Sequence, residues 1–128
     1  MLIAVFLAGC GPRIKPKEEL APEIIADNWR REQVEELPAP SLPVGIPSSG
    51  VRRVIRANYS GPGTIQMDIY ELTSSAGGLD MVQRWKSAPD TVVFYKDNYF
   101  ASVKWAEADR NAVHAFVREA EQRLGGAS

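Results

Sequence analysis

Few side chains in this chain of 128 residues can do chemistry: one cysteine, Cys10, one histidine, His114, and scattered hydroxyls, carboxylates and arginines. His114 has Arg110 and Arg118 four residues to either side, so on a helix two guanidinium groups flank the imidazole. They oppose its protonation and repel a metal cation, and a metal site also needs further ligands at close spacing. Ser60, Ser74 and Ser75 lie near turns, but a serine nucleophile needs a positioned base and the only histidine is the one just described. Asp68, Glu71 and Asp80 are the carboxylates from which an acid–base pair would be assembled, and their places on strands and at a helix start suit solvated charges. Gly61-Pro62-Gly63 lacks the lysine and the helix start of a phosphate loop. These residues predict no enzyme, no cofactor and no metal site.

Cys10 is different, because of what precedes it. Leu2-Ile3-Ala4-Val5-Phe6-Leu7-Ala8-Gly9-Cys10 is an apolar run ending in small residues and a cysteine. It looks like the end of a bacterial lipoprotein signal peptide, in which the sulfur takes a lipid, the preceding peptide is removed and the new amino terminus is acylated. A signal peptidase needs an extended backbone with little bulk at the cut, which Ala8 and Gly9 provide. The run is too short to span a bilayer, which takes about 20 apolar residues. No positive charge precedes Arg13, although secretory signals open with one, so either a start upstream of Met1 or a fragment of a longer chain is expected. With a single cysteine, the chain has no intramolecular disulfide.

The expected organisation is a signal peptide over 1–9, a lipidated cysteine and proline-rich tether over 10–50, and a folded domain over 51–125. Seven of the nine prolines lie between Pro12 and Pro47. Proline fixes its own φ and lacks an amide donor, so 11–17 and 38–50 read as extended linker. Between them the spacing of Ile25, Trp29 and Val34 allows one short helix over 23–36, with Pro22 suited to its first turn. Net charge is −1 with both signs interleaved, and no basic stripe calls for nucleic acid.

From Val51 the pattern becomes regular. Val51 to Tyr59 alternates as a strand, Ser60 to Gly63 turns, and Thr64 to Leu72 returns with Ile65, Met67 and Ile69 inward. Thr73-Ser74-Ser75 can cap a helix over 76–86 whose stripe is Leu79, Val82 and Trp85, with Met81 flanking. A second hairpin covers 91–105 and pivots on Asp97-Asn98, pairing Lys96 with Tyr99, Phe94 with Ala101 and Val92 with Val103. Val113, Phe116, Val117, Ala120 and Leu124 then mark a helix from about Asp109, stopped by Gly125-Gly126. The fold class expected is α+β: a four-stranded antiparallel sheet in ββαββα order with both helices on one face.

Two features remain for binding. Arg52, Arg53 and Arg56 form a basic group on the first of these strands, suited either to an anion or to keeping an edge strand soluble. Val93, Tyr95 and Phe100 lie together on the face opposite the expected helices and need a cover. That cover is expected to be the tether, through Trp29 or through Leu42 and Val44, with a partner as the alternative.

Ala57 to Gly63, Ile69-Tyr70-Glu71, Met81 to Trp85 and Phe94 to Phe100 together resemble a family of bacterial envelope proteins without an assigned function, many behind a lipoprotein signal. The resemblance covers about residues 51 to 124 and implies an α+β domain in an envelope setting. It carries over no catalytic residue. The function expected is that of a lipid-anchored envelope protein with a non-catalytic interaction domain, held to the membrane by acyl chains on Cys10 and binding an envelope protein or polymer. A small-ligand carrier or sensor using the aromatic face of the sheet is the alternative. In a bacterium with two membranes, Gly11, where an inner-membrane retention signal would have aspartate, leans toward the outer membrane facing the periplasm.

Overall fold

The structure is a computed structural model that describes residues 15–38, 50–86 and 88–125. Its elements are α1 (Lys17–Leu20), β1 (Ile24–Ile25), β2 (Trp29–Leu37), β3 (Val51–Ser60), β4 (Thr64–Leu72), α2 (Gly77–Arg84), β5 (Thr91–Lys96), β6 (Tyr99–Ala106) and α3 (Arg110–Gly125). All six strands form one antiparallel sheet in the order β1-β2-β3-β4-β6-β5. The four-stranded sheet in ββαββα order is therefore corrected to a six-stranded, curled half-barrel.

The two added strands come from the segment expected as a helix over 23–36. Ile25 and Trp29 sit one helical turn apart in sequence, but the same spacing makes them partners across a tight hairpin. Ala26 and Asp27 turn that hairpin with φ of 53° and 66°. Both apolar side chains are fully buried, while Glu32, Gln33, Glu35 and Glu36 stay exposed. A bulge between Arg31 and Gln33 shifts the register of β2 on β3, which hides the period-two pattern from a reading of the sequence.

Gly61, in the β3–β4 turn, is required by a close approach. A Cβ there would overlap the carbonyl oxygen of Asn28, and backbone lies on both sides of the clash. Gly61→Ala is thus expected to cost about 1–3 kcal/mol, the usual range for overpacking. Its denaturation midpoint should fall accordingly; an unchanged midpoint would show that the two turns are free to separate.

The helices lie on opposite faces, a second correction. α3 packs on Ile55, Tyr59, Met67 and Val103, together with Leu20, Ile25 and Trp29. It touches both outermost strands, β1 and β5. Contact with both edges of one sheet requires the sheet to curl around the helix, so α3 fills the concave side. The Asp109 carboxylate caps its start, accepting from the amides of Asn111 and Ala112 at 2.7 and 3.2 Å. α2 covers one end of the convex side, where Met81, Val82 and Trp85 meet Val54, Tyr70, Leu72 and Phe100. Leu79, expected in its stripe, instead faces solvent.

Candidate functional site

The register of the β5–β6 hairpin places Val93, Tyr95 and Phe100 on one face, as the turn at Asp97-Asn98 requires. Among the described residues, α2 covers Val93 and Phe100. Phe100 is fully buried, with Trp85 at 4.9 Å and Tyr70 at 5.8 Å between ring centroids. Tyr95, at the rim, lies so close over Gly78 that a Cβ there would strike its ring. Trp29 belongs to the other face: its indole packs edge-on to Phe116 at 5.7 Å, and its Nε1 donates to the Ala112 carbonyl at 3.2 Å. Cys10, Leu42 and Val44 lie outside the described residues. Beside α2 the space lined by Leu72, Gly77 and Met81 is only about 50 Å³, too small for a drug-sized ligand, which takes about 300 Å³ or more.

The three arginines are not a free basic group on an edge. β3 lies between β2 and β4, and two of the three guanidiniums are committed to carboxylates across the β3–β4 ladder. Arg56 grips Asp68 with two bonds, at 2.9 and 3.0 Å. That hydrogen bonding raises the pKa of its guanidinium further. Arg53 donates to the buried Glu71 carboxylate at 2.9 Å and to the Lys15 carbonyl at 2.7 Å. Arg52 remains half exposed, 4.0 Å from Glu71. Close by, the Lys15 ammonium lies 5.7 Å from the centre of the Tyr99 ring and donates to the Leu124 carbonyl. Burial, and then the Glu71 charge, raise the pKa of Tyr99. The third carboxylate considered for acid–base work, Asp80, pairs with Arg84 at 2.9 Å. Each of the three therefore holds its own guanidinium, and the structure does not bring them together as an acid–base pair.

His114 is exposed on α3. Among the described residues no group of three or more His, Cys, Asp or Glu is placed to hold a metal ion. Ser60 donates to the Glu32 carboxylate.

Apart from Asp68, weighed above only for acid–base work, the residues that sequence reasoning passed over are polar ones on the part of the convex face that α2 leaves open. Gln66 and Asp68 of β4 and Ser102 and Lys104 of β6 alternate with buried neighbours and point outward. Ser102 lies across from Asp68 and Lys104 across from Gln66. They floor two adjoining grooves of about 400 and 460 Å³ that share Gln66 and Lys104. Trp85 and Pro89 border one groove and Asn58 and Thr64 the other. The signal for this strip was present as the polar half of each strand's alternation. What it can do is bind: amide, hydroxyl, carboxylate and ammonium groups stand in a row beside an indole.

Two tyrosines near the strip are buried, Tyr70 on the same face under α2 and Tyr59 on the concave side. Burial pushes Tyr70 up from the ordinary 10 to about 12, with the Asp68 charge adding to it. Burial moves Tyr59 further in the same direction, and its hydroxyl donates to the Pro22 carbonyl at 2.6 Å. Both phenols keep their protons in the fold at pH values where an unfolded chain loses them. Stability from this source is intact below the ordinary value and is lost as pH rises through the folded values. The denaturation midpoint should therefore fall steadily between pH 10 and about 12, with phenolate absorbance rising as the chain unfolds. A midpoint flat over that range would place both phenols in contact with water.

The chain matches no protein-family model, no curated protein and no solved structure.

Proposed function

We propose that this chain is a lipid-anchored cell-envelope protein whose domain binds a protein or polymer at the membrane surface and does no catalysis. The observation that carries the reading is the apolar run closing in Leu7-Ala8-Gly9-Cys10, ahead of a proline-rich segment. Acyl chains on Cys10 hold the protein to the bilayer, and in a bacterium with two membranes Gly11 favours the outer one, facing the periplasm. The polar strip of Gln66, Asp68, Ser102 and Lys104 is its contact surface. Its two grooves are open and adjoin at Gln66 and Lys104, which suits a chain-like partner laid across the strands better than an enclosed small molecule.

The test is site-specific photo-crosslinking of the full chain in its native cells, read by mass spectrometry. A photoreactive residue at Gln66 or at Ser102 should give a defined adduct, and one at Gln122, exposed on α3, should give none. Adducts at all three sites alike, or at none, would overturn the assignment of the strip. A bound small molecule in place of a protein or polymer would turn the reading toward a carrier.

A further inference from the structure

The two ends of the sheet are unequal. At one edge β1 pairs with only Trp29 and Arg30, and the stretch of β2 beyond it carries Glu32, Glu35 and Glu36, exposed charges that resist pairing with another chain. β5 closes the other edge with six residues, Thr91-Val92-Val93-Phe94-Tyr95-Lys96, free of proline and bulge, and no described strand pairs with its outer side. Leu79 and Tyr95, 49% and 40% exposed, are the large apolar side chains left open among the described residues. Gly78 packs against Tyr95, so both lie at this edge.

We propose that the free edge of β5 is a self-association surface, where a second copy of this chain pairs its own β5 antiparallel about Val93 and continues the sheet. The backbone decides which groups are available. The Asp90 carbonyl accepts from the Trp105 amide at 3.1 Å. Because antiparallel ladders alternate, Val92, Phe94 and Lys96 bond toward β6, while Thr91, Val93 and Tyr95 turn their amides and carbonyls outward. A twofold axis perpendicular to the sheet keeps each residue on its own face. It therefore pairs outward groups only with outward groups, and centring on Val93 engages all three.

In that register Val93 meets its own copy, Thr91 meets Tyr95, and Val92 meets Phe94. Asp90, in the turn just before β5 with φ of 55°, then comes up to Lys96 of the other copy at both ends. Moving the axis to Thr91 or Tyr95 leaves fewer outward groups paired and breaks this charge match. The surface is isologous, as twofold dimers require. It also brings the exposed Leu79 and Tyr95 of each copy up to the other.

The experiment uses the full chain in membranes, with Val93→Cys and mild oxidation. Cα atoms of a hydrogen-bonded antiparallel pair lie about 5.5 Å apart, within disulfide reach. Val93→Cys should give disulfide-linked dimers well above the unsubstituted chain. Lys104→Cys, exposed on the same face but one strand inward, should give none. Adding Lys96→Glu to Val93→Cys replaces two attractions with two repulsions and should lower the yield about tenfold. Light scattering on the unsubstituted chain, which needs no variant to fold, should give the mass of two copies. A one-copy mass, a Val93→Cys yield no higher than that of Lys104→Cys, or indifference to Lys96→Glu would overturn the proposal.

Discussion

Phe116→Ala is expected to leave the domain largely unfolded. Phe116 is fully buried where α3 enters the curl of the sheet. Its ring meets Tyr59 at 5.0 Å and 74° and Trp29 at 5.7 Å and 76°. These edge-to-face contacts tie the helix to an inner strand and to the β1–β2 hairpin. Removing a buried phenyl ring costs roughly 3–5 kcal/mol, against a total of about 5–15 kcal/mol for a typical domain. Denaturant unfolding followed by tryptophan fluorescence should show the transition shifted by that amount or lost. His114→Ala, exposed on the same helix, should leave the midpoint where it was. A Phe116→Ala loss under about 1 kcal/mol, the size of an average surface substitution, would contradict the packing described for α3.

Cys10→Ser carries the second large effect, on location rather than stability. Each methylene buried in a bilayer contributes about 0.8 kcal/mol, so several acyl chains hold a protein where one is marginal. The serine variant of the proposed lipoprotein should keep its fold, which is built from Lys15 onward among the described residues. It should leave the membrane fraction, or stall with its signal uncut. Cell fractionation and immunoblotting read both outcomes. Normal processing and unchanged attachment would sink the proposed anchor.

Strong local pattern was enough for some elements and not for others. β3, β4, the β5–β6 hairpin and α3 fall where alternation, turn residues and helical spacing place them, and the register Val92–Val103, Phe94–Ala101 follows from the two-residue turn. The hidden part is Lys15 to Leu37. Ile25 and Trp29 satisfy helix and hairpin spacing equally, and the bulge after Arg31 breaks the alternation of β2. Without those strands, β3 reads as an edge and its arginines as free. Inside the sheet, Arg53 and Arg56 instead serve Glu71 and Asp68. The second apolar face of the β5–β6 hairpin was visible as a need for a cover. Its cover among the described residues, α2, could not be told from the tether, because apolar periodicity states that a helix has a buried side and not which face of a sheet it meets. The proposed contact strip was not singled out for a similar reason: outward polar residues on strands look alike whether they bind a partner or water.

Mass spectrometry of the amino-terminal peptide of the chain, purified from the membranes of its native cells, tests the proposed anchor most directly. The expected result is a mature chain that begins at Cys10, with a diacylglyceryl group in thioether linkage on its sulfur. A chain that retains residues 1–9 with an unmodified Cys10 thiol would contradict it.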